Sequence, residues 1–233
     1  MKSSTLSYRG YRFPPEIIAH AVWLYYRFCL SLRDVEDLLA ERGITVSHET
    51  IRQWCRKFGT EYARKLKQRG GRLGDTWFLD ELFVTIQGKR KYLWRAIDQD
   101  GEVIDILVQP RRDRKAAERF FRKLLKGQGA EPVLLVTDKL RSYGAAHRTT
   151  MPSVRHDTSQ YANNRAEVSH QPTRQRERQM RRFKSPGQAQ RFLSAHGVIQ
   201  NLFRVGRHLV SAGDHRTLRD RSFGVWRQVT CAC

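Results

Sequence analysis

Three carboxylates stand where a carboxylate needs a reason: Asp80, Asp138 and Glu167. Asp80 lies inside the apolar run TWFLDELFVTI, directly after Leu79 and just before Leu82. A charge there costs free energy unless it is paired or binds a cation. Its neighbour Glu81 is expected on the opposite face, because successive strand residues alternate, so only one of the two can face a site on Asp80's side. Asp138 closes the run PVLLVTD, at the carboxyl edge where open α/β sheets place ligands. If the two runs pair side by side, Asp80 and Asp138 come together. Like charges so placed repel unless a cation sits between them. Arg or Lys could serve, but oxygen ligands also suit Mg²⁺ or Mn²⁺. A two-metal site would activate an attacking oxygen and stabilise a leaving one in phosphodiester displacement. Glu167, in YANNRAEVSH, would be the third carboxylate, arriving from a helix on the far side.

Plainer roles fit the same residues. Asp138 can begin a turn. Asn164 followed by Glu167 resembles a capping box. Asp98 and Asp100 suit a hairpin turn, and Asp105 suits a solvated strand face.

The elements that must hold these groups can be read from spacing. PEIIAHAVWLYYRF places Ile18, Ala21, Val22, Tyr25 and Phe28 at helical intervals. SLRDVEDLLAERG starts with a capping-box pair, Ser31 and Asp34, and stops at Gly43. ITVSHETIRQWCRKFG follows, with Ser47 as N-cap and Ile51, Trp54, Cys55 and Phe58 as the buried face. Two short helices joined by a glycine-containing turn describe a helix-turn-helix over about 31–58. Arg52, Gln53 and Arg56 would lie on its outer side, as base or phosphate contacts. A plain helical bundle with a solvated charged face is the alternative.

The texture changes at KQRGGRLGD. Residues 1–68 form the expected N-terminal helical region, 69–75 a linker, 76–210 a core and 211–233 a tail. Three strand-like runs from Thr76 to Pro110 are separated by the turns QGKR and QDG. An amphipathic helix from Asp113 to Gly127, the buried strand before Asp138, a short helix, a short strand and a terminal helix follow. Ser185 and Pro186 suit the cap and first turn of that last helix. The expected fold class is therefore α/β: a ribonuclease-H-like mixed five-stranded sheet with flanking helices, preceded by a small all-α helix-turn-helix domain.

The 233 residues carry a formal net charge of +21, and 39% are hydrophobic, enough for a real core. Such a charge favours a polyanion, because Lys and Arg displace counterions condensed on a phosphate backbone. The C-terminal part is the most basic: from His170 onward, 13 Lys and Arg stand against 3 Asp and Glu. No apolar run approaches the roughly 20 residues that span a bilayer. The first residues lack the apolar core of a signal peptide. The expectation is a cytoplasmic protein without membrane association. Four cysteines give no disulfide framework, and Cys231 with Cys233 is a weak metal signal.

The stretches WFLDE, YLWRAID, VTDKLRSYG, YANNRAEVSHQPTRQRERQMRRFKSPGQAQRFLS and NLFRVGRHL resemble bacterial insertion-sequence transposases of the DDE type, in the group named after insertion sequence six. The resemblance runs from about Phe13 to Leu209. It implies a catalytic acidic triad on Asp80, Asp138 and Glu167, with Mg²⁺ (or Mn²⁺), two ions, as cofactor. It implies binding of the element's terminal inverted repeats and of target DNA, a homo-oligomer on paired ends, and replicative transposition through a cointegrate. The family pattern puts a basic residue two helical turns after the glutamate, here Arg174, to hold a phosphate. Pro172 between them is expected to kink the helix interior. Arg178, Arg181, Arg182 and Lys184 would extend the cradle for DNA, while Asn163, Asn164 and His170 would support the site. The short interval between Asp138 and Glu167 leaves no room for an insertion domain. Two rivals remain open on the residues alone: a regulator using only the helix-turn-helix, with no metal, and a nuclease that cuts but never joins.

Overall fold

The computed structural model describes residues 6–70, 74–159, 162–164, 166, 171–180, 183–204 and 210–231. Glu167, His170, Arg181 and Arg182 lie outside the described residues. The chain forms two compact units, Gly70–Gly197 on one hand and Met1–Arg69 with Val198–Cys233 on the other.

The first unit contains helices α1 (Pro15–Arg27), α2 (Leu32–Ala40) and α3 (His48–Arg69). Ser31 and Asp34 close the expected capping box reciprocally, which satisfies two orphan amides at the start of α2. Gly43, at φ +72°, makes the turn after α2. Ser47 accepts from the Thr50 amide at 3.3 Å and starts α3. Ile51, Trp54, Cys55 and Phe58 are buried as expected, whereas Phe28 and Leu38 are exposed. α3 is not short: it continues to Arg69, through the residue expected to open the linker.

Residues 211–233 were expected as a tail. Ala212–Thr230 is instead a helix whose Phe223, Trp226 and Val229 recur at helical spacing. Trp226 meets Tyr62 edge-on at 5.2 Å, and Phe223 meets Trp23 at 5.2 Å. Burying these rings ties the segment to the N-terminal helices, so the division between units falls near Gly197 and not at 210.

The second unit is built on five strands: β1 (Thr76–Ile86), β2 (Lys89–Asp98), β3 (Val103–Gln109), β4 (Leu134–Thr137) and β5 (Arg155–Asp157). Their order is β3-β2-β1-β4-β5, with β1–β2 and β2–β3 antiparallel and β1–β4 and β4–β5 parallel. This is the mixed, ribonuclease-H-like arrangement expected. Gln87 and Gly88, both at positive φ, form the tight turn between β1 and β2. Asp98 closes the next turn by accepting from the Asp100 and Glu102 amides at 2.9 and 2.8 Å. Helices α4 (Arg114–Gln128) and α5 (Arg141–Thr150) flank the sheet. Ala117, Phe120, Phe121 and Leu124 of α4 share a buried core with Trp77, Leu79, Trp94, Leu135 and Tyr143.

Helix α6 (Gln171–Gln179) follows, then α7 (Pro186–Phe203), and the C-terminal helix Ala212–Thr230 is α8. Pro172 is the second residue of α6 as described, and residues 167–170, where the helix expected from Glu167 would run, lie outside the described residues. Ser185 caps α7, accepting from the Gln188 amide at 3.1 Å.

Candidate metal centre and nucleic-acid surfaces

The parallel register of β1 and β4 pairs Leu79 with Thr137 and then ends. Asp80 and Asp138 are the next residues on each strand, so both carboxylates emerge together where β4 stops. Asp80, Glu81 and Asp138 each bring a carboxylate oxygen within 4.8 Å of the others. Asp80 and Asp138 are thus brought together as expected. Glu81 is the correction: strand alternation would have sent it to the other face. That rule assumes a sheet continuing on both sides, and past Thr137 no β4 residue separates the two sides of β1.

The three acids live in different surroundings. The Glu81 side chain is 2% exposed and receives the Tyr143 hydroxyl at 2.6 Å and Arg112 Nε. Burial pushes its carboxyl up to about 7, against the lowering effect of the Tyr143 hydrogen bond. Asp138 is half-buried and accepts from the Leu140 amide at 3.0 Å. Burial raises its pKa, the Leu140 amide opposes that, and the Asp80 charge raises it further. Arg112 Nη2 stands 3.5 Å from Asp138 Oδ2. Three converging carboxylates, with the Asp80 charge adding to the raised proton affinity of Glu81 and Asp138, are a donor set suited to a hard divalent cation.

Asn163 fixes the chain that leads to Glu167. Its side-chain amide donates to the Leu79 carbonyl at 2.8 Å, one residue before Asp80. The Ala166 amide then bonds the Asn163 carbonyl at 3.0 Å. Asn164 is exposed. Sequence reasoning placed Asn163 beside the site but missed Arg112 and Tyr143. Both sit in segments whose local pattern speaks only of a loop and a helix.

The basic residues sort by burial. On α6, Arg174 and Arg178 are exposed, and so is Lys184 beyond it. Arg176 is not part of such a surface: it is 1% exposed, with its guanidinium 5.4 Å from the Phe192 ring centre. Thr173, 1% exposed, receives Arg95 Nη1 at 2.7 Å. Arg95 is the cross-strand neighbour of Asp80. Asp105 was expected on a solvated face but is buried and paired with Lys123, because α4 covers that part of β3. In the first unit, Arg52, Gln53 and Arg56 are exposed on α3, and Arg52 pairs with Glu49 at 3.0 Å. Among the described residues, no helix is long and apolar enough to cross a membrane.

Residues 74–206 match a DDE-domain family model, DDE_Tnp_IS240. The transposase for insertion sequence-like element IS431mec of Staphylococcus aureus is 31% identical over 205 residues, 86% of this chain and 90% of the relative. The transposase for insertion sequence element IS257 in transposon Tn4003, also from Staphylococcus aureus, is 30% identical with the same coverage. Among solved structures, the catalytic core domain of BIV integrase overlaps 65% of this chain and 97% of its own, at 14% identity and a TM-score of 0.36. That overlap is too loose to bear on mechanism. The sequence matches, spanning most of both chains, are decisive: this chain belongs to the bacterial insertion-sequence transposases of the DDE type, in the group named after insertion sequence six, enzymes that cleave and transfer DNA strands.

Proposed function

We propose that Asp80, Asp138 and Glu167 are the catalytic acids of this transposase and that they hold Mg²⁺ or Mn²⁺, as two ions. The observation that carries the reading is the convergence of the Asp80 and Asp138 oxygens where the pairing of β1 with β4 ends. Asn163 supports the third member, since it fastens the approach to Glu167 onto the strand that bears Asp80. When bound, the metal supplies charge neutralisation and activation of oxygen for phosphodiester displacement. The protein's own part is placement. β1 and β4 fix two acids through the backbone register, and Asn163 sets the entry of the third. Exposed Arg174, Arg178 and Lys184 present cations for the DNA backbone. Arg181, Arg182 and His170 belong to the same proposed surface and its margin.

The reaction has two parts. Water hydrolyses a phosphodiester at the element end and leaves a 3′-OH, which then attacks target DNA in a direct transesterification. Positioning and charge neutralisation carry such a transfer without a covalent protein intermediate. The specific DNA is the element's terminal inverted repeat, read by α2 and α3 through Arg52, Gln53 and Arg56. The active form is a homo-oligomer on paired ends, and the outcome is replicative, through a cointegrate.

The test is strand transfer on a labelled element end with Mg²⁺, comparing the parent with Asp80→Asn, Asp138→Asn and Glu167→Gln. Each should lose joined product and retain DNA binding, and chelating the metal should abolish joining in the parent. Full activity in any variant removes that residue from the triad. Nicks without joined product would favour a nuclease instead.

A further inference from the structure

Arg112 lies in the loop between β3 and α4, with its side chain 41% exposed. Its guanidinium has one fixed contact and one loose contact. The fixed contact is Nε on Glu81, whose other oxygen is locked by the buried Tyr143 hydroxyl at 2.6 Å. The loose contact is Nη2 to Asp138 at 3.5 Å, the outer limit of a hydrogen bond, on a side chain that is 38% exposed.

We propose that Arg112 is a positioning residue of the transposase that occupies Asp138 until the cation and DNA arrive and then turns to the DNA phosphate. The inference rests on the metal reading above. A guanidinium and a divalent cation compete for the same negative charge, so Asp138 is released by Arg112 as it is taken by the metal. Glu81 does not release it, because its carboxylate is held between Arg112 and Tyr143 away from solvent. The pivot at Nε therefore stays, and Nη2 is left beside Asp138, where a non-bridging phosphate oxygen must come for displacement. A planar fork fixed at one end offers a phosphate a defined N–H direction, which a lysine ammonium does not. Glu81 is thus the mount for Arg112.

Two measurements on the full chain test this. Mn²⁺ is titrated calorimetrically into the DNA-free protein, and strand transfer in Mg²⁺ is timed at saturating DNA. Arg112→Ala should bind Mn²⁺ about 3–10-fold tighter, since a partly exposed ion pair has been removed, yet transfer strands roughly 10-fold or more slower, since a charge-assisted phosphate contact is lost. Arg112→Lys should return Mn²⁺ binding toward the parent without returning the transfer rate, and it serves alone if the alanine variant does not fold. A merely structural role would weaken both properties together. Unchanged or weaker Mn²⁺ binding in Arg112→Ala, or a parental transfer rate in either variant, overturns the proposal. Asp138→Asn separates the two ideas: if it binds Mn²⁺ like the parent, the metal reading itself fails. If it loses Mn²⁺ while Arg112→Ala leaves binding unmoved, only the role of Arg112 fails.

Discussion

Tyr143→Phe removes one atom from the network that holds Glu81, and its cost can be worked from the geometry. Tyr143 is fully buried, its ring edge-on to Trp94 at 5.4 Å and stacked on Phe121 at 6.1 Å. Phenylalanine keeps both ring contacts, so packing should change little. What disappears is a 2.6 Å hydrogen bond to a carboxylate whose side chain is 2% exposed. At a pH above the Glu81 value of about 7, where the acceptor is charged, such a hydrogen bond contributes about 1.5–3 kcal/mol, and burial of the acceptor keeps solvent from replacing it. Arg112 still holds the other oxygen, which argues for the middle of that range, about 2 kcal/mol. For a unit of this size that loss lowers Tm by roughly 6–10 °C. The assay is differential scanning calorimetry of the full chain, comparing parent and variant. A cycle with Glu81→Gln isolates the pair: the double variant should lose less than the sum of the singles by about 1–2 kcal/mol. A Tm within ~2 °C of the parent, or strictly additive singles, would refute the claim that this hydrogen bond fixes Glu81.

Two further outcomes test the first unit. Ser31→Ala removes one half of the capping box on α2 and should cost about 1 kcal/mol, measured by urea denaturation followed by circular dichroism. Trp226→Ala should cost about 3–5 kcal/mol, since the ring is 4% exposed and packs on Tyr62, and protease nicking within α8 should appear well before global unfolding.

The sheet and most helices were legible because local signals agreed with the fold. Ser31, Asp113 and Ser185 cap the helices that follow them, and the apolar runs became strands in the expected order. Asp80 and Asp138 were legible for the same reason, since one pairing assumption brings them together. Glu81 was not, because alternation describes a strand inside a sheet and fails where the neighbour ends. The burial of Arg176 was not legible, because α6 has almost no apolar residues. Its inward face is Thr173 and Arg176, a spacing of three that a hydrophobic stripe would have revealed and polar residues conceal. Lys123 meets Asp105 across an element boundary, a pairing no local window contains.

The surroundings of the three clustered acids bear on the roles proposed for them. A metal ligand must present oxygen toward the space where substrate enters, and a structural acid must have its charge answered inside. Glu81 meets the second description, enclosed and held by Tyr143 and Arg112. Asp138 meets the first: its side chain is 38% exposed, and its firm partner is the Leu140 amide, which occupies Oδ1 and leaves Oδ2 facing a guanidinium at the limit of contact. Asp80, one residue past the last paired position of β1 with β4, bonds the Glu81 amide through Oδ1 at 2.8 Å. The adjacent Asp–Glu pair on β1 therefore differs in its partners: Glu81 is held by Tyr143 and Arg112, and Asp80 accepts from the Glu81 amide.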